Sequence, residues 1–256
     1  MLAPPDCLGA AGSGRRPLVS SASNHVSLLG HDRVNVPSAR TRVRRAPQRG
    51  SYDRTVVDAI LDEAIVCHLG LIDDAQPFVI PTLHARVGDV VFVHGASSGR
   101  ALRILSRGLS VCLTVTLVDG IVLARSAFHH SINYRSVVLL GQARPVTDPA
   151  EKLCALEAFT EQLLPGRWSD VRPPNDNELK ATAVLALSLN EVSAKVRTGP
   201  PNEEEADYSL NAWAGVIPLR LTALVPEDDP RLRPGIQRPA QIGCWGNRRA
   251  ARQPPS

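Results

Sequence analysis

Aromatic side chains are scarce in this sequence: three Trp, three Tyr and four Phe, 4% of 256 residues. The core must therefore be built from Val, Leu, Ile and Ala. No apolar run is long enough to span a membrane. The start lacks the basic segment followed by an apolar one that secretion uses. Neither a Walker A sequence nor a G-x-G-x-x-G sequence is present, so two common nucleotide folds are unsupported. There is no internal repeat and no heptad pattern. The five cysteines, Cys7, Cys67, Cys112, Cys154 and Cys244, are odd in number and widely spaced, with no C-x-x-C pair. That argues against a disulfide framework or a zinc ribbon. It favours buried thiols in a reducing cytoplasm.

The chain is mildly basic, with 29 Lys and Arg against 25 Asp and Glu, and an isoelectric point near 9.0. The excess sits in Arg40, Arg42, Arg44, Arg45 and Arg49 and in Arg248, Arg249 and Arg252. Glu203, Glu204 and Glu205 lie between them. This is tail charge rather than a nucleic-acid-binding face.

Residues 1–50 are rich in Gly, Ser, Pro and Arg without periodicity. They read as a disordered extension, a transit-like segment or a start codon assigned too early. Residues 226–256 read as a disordered Pro- and Arg-rich tail. One folded domain is expected over residues 51–225.

Within it, Asp53 is placed to cap a helix from Arg54, with Val56, Val57, Ile60, Leu61 and Ala64 on one face. Strands over 65–72, 78–87 and 90–94, separated by Asp73-Asp74 and Gly88-Asp89, form an antiparallel meander. A short helix follows residues 95–99. A strand over 109–118 should turn at Asp119-Gly120 and return over 121–127. A strand over 136–144 follows. Asp148-Pro149 should then open a helix carrying Leu153, Leu156, Ala158, Phe159 and Leu163 towards the core. Further strands are expected over 181–189 and 213–224. Six or more hairpin-connected strands favour closure into a small barrel. The fold class is α+β, mainly antiparallel β, with helices outside.

Three blocks carry candidate chemistry. Residues 93–103, VHGASSGRALR, end a strand in a small-residue loop whose N–H groups, Ser97, Ser98, Arg100 and Arg103 suit a phosphate. The same spacing fits a Gly-rich connector with solvated arginines. Residues 129–138 cluster donors between two strands, Tyr134 and Arg135 among them, or form a solvated loop. Residues 193–201 put Ser193, Lys195 and Arg197 on one face, which suits an anionic ligand or a charge-protected edge strand. Five histidines, His68, His84, His94, His129 and His130, share one part of the chain. None has helical H-x-x-x-H spacing, and the adjacent pair would point apart if extended. No metal site is expected.

Together these blocks resemble the split-barrel flavin-nucleotide-binding branch of the pyridoxamine 5′-phosphate oxidase-related family, which includes nitroimidazole-resistance reductases. The similarity covers residues 52–221, through SYDRTVVDAILDEAIVCHLG, PFVIPTLHARVGD, VFVHGASSGRALR, CLTVTLVDGIVLARSAFHHSINYRSVVLLGQA, PGRWSD, SAKVRTGPP and WAGVIPLRL. The resemblance implies a six-stranded split β-barrel with flanking helices, forming a homodimer with FMN at the subunit interface. It implies that His94, Ser97 and Arg100 lie at the phosphate, that Pro81 and Thr82 line the isoalloxazine, and that Tyr134, Arg135 and Ser136 add ribityl or phosphate contacts. It further implies that Lys195, Arg197 and Trp213 approach the same site, from this or the second subunit.

Two functions follow from the resemblance. One is an FMN-dependent reductase or oxidase of a small molecule, with NAD(P)H as a candidate donor and His94 as the candidate proton donor. The other is a non-enzymatic flavin, deazaflavin or haem binder on the same barrel.

Overall fold

Short turns and caps divide the folded region into strands and helices. A computed structural model describes residues 35–243 and 245. Strand β1 (Gly50–Ser51) leads into helix α1 (Arg54–Glu63). The Asp53 carboxylate accepts the Thr55 N–H at 2.8 Å and so caps a donor that the helix leaves unpaired. Strands β2 (Val66–Asp73), β3 (Gln76–Val87) and β4 (Val90–Ala96) form the expected meander. Its first turn, Asp74 and Ala75, has φ of 48° and 65°, the left-handed twist of a tight hairpin without a glycine. Helix α2 (Arg100–Leu105), strands β5 (Ser110–Leu123), β6 (Ser131–Gln142) and β7 (Arg144–Pro145) follow. Helix α3 (Pro149–Leu163) is capped by Asp148, which accepts the Glu151 N–H at 2.8 Å. Helix α4 (Asp176–Ala181), strands β8 (Thr182–Ser188), β9 (Val192–Arg197) and β10 (Gly215–Pro218), and helix α5 (Ala240–Gly243) complete the order.

All strand pairs are antiparallel, in the order β1-β9-β6-β5-β2-β3-β4-β8-β7, with β10 on β5. Among the described residues, seven strands have six or more residues and three are shorter. β3 changes partner midway. Residues 76–83 pair with β2, and residues 84–87 pair with β4. The sheet splits there. β8 and β9 lie near opposite ends of the strand order yet are joined by only residues 189–191. So short a link forces the sheet to curl until its ends meet. Leu140 N–H donates to Glu191 C=O and Leu189 N–H to Asp89 C=O, each at 2.9 Å, which stitches the closure. Residues 35–52 lie across it: Asn35 Nδ2 donates to Leu189 C=O at 3.1 Å, and Arg40 pairs with Glu191.

The barrel core is aliphatic, as the poverty of aromatics requires. Val57, Ile60 and Leu61 of α1 meet Leu69, Leu113, Val137, Leu139, Leu185 and Leu187. A second cluster lies under α3, where Ala155 and Phe159 cover Ala85, Phe92, Val184 and Ala186. Leu153 and Leu163 of α3 point to solvent instead.

Three expectations are corrected. Asp119-Gly120 is not a hairpin turn: β5 runs straight through it with a register shift between Val118 and Gly120. Gly120 has no positive φ. The glycine serves close approach, since a Cβ there would sit 3.0 Å from Val216 Cγ1 and 3.1 Å from the Ile217 carbonyl oxygen. The strand expected over 213–224 shrinks to β10, which ends at a proline. Cys154, on α3, is disulfide-bonded. Cys67 and Cys112 are free thiols. Burial pushes the Cys67 pKa up to about 12. Cys7 and Cys244 lie outside the described residues, as do residues 1–34 of the N-terminal extension and most of the tail beyond 243. Among the described residues, no helix is long and apolar enough to cross a membrane.

Candidate functional site

The loop between β4 and α2 is held by its own backbone. Ser97 N–H donates to Ala181 C=O and Gly99 N–H to Ala96 C=O, both at 2.8 Å. A Cβ on Gly99 would meet the Ala96 oxygen at 2.9 Å, so the tight turn requires glycine. Ser97 and Ser98 are exposed at its tip. Arg100 turns back towards the β2–β3 hairpin. Its Nε and Nη2 lie 2.9 and 2.6 Å from Asp73 Oδ2. Its Cζ lies 4.6 Å from the Phe78 ring centroid. Arg103 is exposed and makes no ion pair among the described residues.

Pro81, Tyr134, Ser136, Lys195 and Arg197 lie on the outer face of the barrel sheet. Paired residues in an antiparallel sheet share a face. Pro81 faces His68, His68 faces Thr114, Thr114 faces Val138, and Val138 faces Ser193. Beside that row, Thr116 faces Ser136 and Ser136 faces Lys195. Beyond it, Val118 faces Tyr134 and Tyr134 faces Arg197. Val66 is 44% exposed, Val79 68% and Val118 45%. The face thus combines hydroxyls and cations with uncovered aliphatic surface.

The strand period separates two residues grouped by sequence. Pro81 points out, whereas Thr82 pairs with the fully buried Cys67 on the barrel side. Arg135 also points in. Its guanidinium is held by Glu63, with Nη2 2.9 Å from Oε1, and by Asp119, with Nε 2.9 Å and Nη2 2.8 Å from its two oxygens. The hydrogen bonds it donates to Asp119 and Glu63 raise its pKa. Its donors are already committed. Ser136 Oγ lies 3.4 Å from the Lys195 carbonyl oxygen. Arg197 is buried and bonds the Asn133 amide oxygen and the carbonyls of Gly199 and Pro200 at 3.3 and 3.1 Å. Burial, then repulsion from Arg49, lowers its pKa, partly offset by Tyr134. Trp213 is 66% exposed, with its ring stacked over Gly215, where a Cβ would clash at 2.8 Å.

His94 faces neither the loop tip nor the barrel. Its ring packs under α3, with centroids 4.2 Å from Phe159, and Nδ1 is buried with no hydrogen-bond partner among the described residues. Burial lowers its pKa.

Within one copy the candidates form two groups at opposite ends of the strands. Arg100 sits beside Asp73 at one end of β2. Lys195, Tyr134 and Arg197 lie past Thr114 in the other direction. At strand rise, the separation is about 20–30 Å.

A cluster around Ser126 was hidden from spacing arguments. His129 and His130 do not diverge, because residues 127–129 form a 3-10 turn. His129 Nδ1 lies 2.9 Å from Ser126 Oγ, and His130 Nδ1 lies 2.9 Å from the Ser126 carbonyl oxygen. Asp207 Oδ2 stands 3.8 Å from His129 Nδ1. Arg125 pairs with Glu203 at 2.7 Å and covers the Tyr208 ring at 5.0 Å. Glu203, Asp207 and Tyr208 lie too far along the chain from residues 125–130 to leave a local signal. Among the described residues, no three His, Cys, Asp or Glu side chains gather as a metal-ion site.

Residues 53–196 match the family model described as pyridoxamine 5′-phosphate oxidase. Among solved structures, the chain is similar to the flavocytochrome Anf3 from Azotobacter vinelandii, at 46% identity and a TM-score of 0.77, covering 81% of this chain and 97% of that one. It is also similar to the FAD and heme binding protein from Mycobacterium smegmatis, at 32% identity and a TM-score of 0.74, covering 77% of this chain and 97% of that one. None of the curated proteins compared matches it.

Proposed function

This chain belongs to the pyridoxamine 5′-phosphate oxidase family of split barrels, and we propose that it is a redox flavoprotein of the flavocytochrome kind, binding FAD and haem. The observation that carries this reading is 46% identity to a flavocytochrome over 97% of that chain's length. FAD replaces the FMN expected above because it is the flavin named for the Mycobacterium smegmatis relative. Bound flavin takes up electron pairs and haem iron single electrons, so the two together would serve exchange between hydride donors and one-electron acceptors.

The residues fit a flavin. An amphipathic, anionic, planar group needs an apolar wall, hydroxyl donors and cations. The outer face supplies Val66, Val79, Pro81, Thr114 and Ser136. Ser97 and Arg100 would hold phosphate at one end. Tyr134, Lys195, Arg197 and Trp213 would serve the other end. Because these groups lie about 20–30 Å apart along one copy's strands, a homodimer would bring one copy's loop to the other's cations. The uncovered aliphatic surface of that face supports the same arrangement. Arg135, committed to Glu63 and Asp119, would act by holding β5, β6 and α1 together behind the site.

The test is an absorption spectrum of the purified protein, with mass spectrometry of what heat releases. Flavin bands, a Soret band and a released mass of FAD are expected. A released mass of FMN or a deazaflavin would overturn the FAD assignment alone. A colourless protein that takes up neither cofactor would overturn the whole reading. Light scattering should give twice the chain mass. Reduction by NADH or NADPH would identify the donor.

A further inference from the structure

The haem reading above leaves open which side chain meets the iron. Five histidines lie among the described residues. His84 is 1% exposed, with Nε2 2.9 Å from the Leu61 carbonyl oxygen, inside the barrel core. His94 is packed against Phe159 under α3. Neither has room for a porphyrin. His68 stands exposed on the outer sheet face, with no hydrogen bond orienting its ring among the described residues. His129 has its Nδ1 beside a hydroxyl that can donate or accept, with Asp207 further off.

His130 differs from all four. A carbonyl oxygen can only accept, so the 2.9 Å contact between His130 Nδ1 and the Ser126 oxygen requires the proton on Nδ1. That fixes the tautomer and leaves the Nε2 lone pair free on an exposed ring. Metal-bound imidazoles are oriented by this kind of bond, which also strengthens the ligating nitrogen. A haem needs only one or two protein ligands, so it fits a chain without a three-residue metal cluster among its described residues. A second observation concerns the surface beside it. Phe128, one of only four phenylalanines in the chain, is 89% exposed, and Ile132 is 41% exposed. The Phe128 ring stands edge-on to that of His129, 5.1 Å between centroids, so exposed apolar surface adjoins the histidine pair, which suits a flat hydrophobic ligand.

We propose that His130 Nε2 is an axial ligand of the haem iron, with the Ser126 carbonyl holding its Nδ1–H and Phe128 supplying apolar surface beside it. The proposal rests on the haem reading. It names a ligand that neither sequence spacing nor the shared fold identifies.

Wild type, His130→Ala, His130→Met and His68→Ala would be produced with a haem precursor supplied, and compared by pyridine haemochrome, absorption and ferric electron paramagnetic resonance. Flavin content reports folding. His130→Ala is expected to lower the haem-to-flavin ratio about tenfold or more, with added imidazole restoring the Soret band. His130→Met is expected to keep haem with a shifted spectrum. His68→Ala should keep the wild-type haem content per chain and the wild-type ferric resonance spectrum. Full haem with an unchanged resonance spectrum in both His130 variants would overturn the ligand assignment alone, as would loss of haem in His68→Ala instead. If wild type takes no haem, even when titrated with haemin, the haem reading falls and the assignment with it.

Discussion

Arg100 reaches across the Phe78 ring to place Nη2 2.6 Å from Asp73 Oδ2, so the loop between β4 and α2 is tied to the β2–β3 hairpin by one exposed ion pair. The Arg100 side chain is 62% exposed, and such pairs contribute about 0–1 kcal/mol. A charge-assisted bond to phosphate contributes about 1.5–3 kcal/mol. The phosphate should therefore win the guanidinium from Asp73. Arg100→Ala should weaken flavin binding about tenfold or more while moving Tm by under about 2 °C. Titrating apo-protein while following flavin fluorescence reads the first effect. An unchanged Kd would remove Arg100 from the site. Asp73→Asn should leave binding intact or tighter.

Arg135 presents the opposite energetics. Its side chain is 7% exposed and Glu63 is 10% exposed, so removing the guanidinium strands carboxylates in the interior. Arg135→Ala should cost about 3–5 kcal/mol in urea unfolding. Combining Glu63→Gln with Arg135→Met should recover part of that loss. A variant of normal stability that fails only to bind flavin would place Arg135 in the ligand site instead.

Acid should expose the burial of His94. Its folded pKa lies below the ordinary 6.5, so as pH falls below 6.5 the unfolded chain gains a proton that the folded one resists. Stability from this group is complete above 6.5 and is lost downward to the folded pKa. His94→Gln removes the titration. The stability difference between wild type and variant should therefore shrink between pH 7.5 and 5.5 in urea melts. A difference constant with pH would show that His94 is not titrating in this range.

Ala75 sits at φ 65° in the β2–β3 turn, a conformation that costs a residue with a Cβ about 1–2 kcal/mol. Glycine removes that cost but carries more chain entropy. Ala75→Gly should give a net gain of about 0.5–1 kcal/mol, raising Tm by about 1–3 °C. A lower Tm would mean that the entropy outweighs the strain.

Local grammar was readable along the chain and long-range pairing was not. Asp53 and Asp148-Pro149 cap their helices as their residue types require, and Gly88 turns β3 into β4. Asp119-Gly120 misled because a glycine needed for contact with β10 looks the same in sequence as one needed for positive φ. Arg135 read as a ligand residue because its true partner, Glu63, lies on a helix 72 positions earlier. The two histidines after Phe128 read as divergent because extended geometry was assumed, whereas a 3-10 turn brings both back onto Ser126. The outer face was partly legible: alternation placed Lys195 and Arg197 together, but not Pro81 across four strand spacings.

The three-residue link between β8 and β9 also governs when the protein can fold. β4 has no partner on its far side until β8 arrives, and β6 has none until β9 arrives. Both partners leave the ribosome together, near the end of the domain. Until then the nascent chain carries two unpaired strand edges rich in Val and Leu, one at each flank of a half-built sheet. Such edges are templates for pairing with another chain. Slowing translation after residue 142 should therefore lengthen the window for aggregation, and a substitution that delays the turn at residues 189–191 should lower soluble yield more than it lowers the stability of the finished barrel.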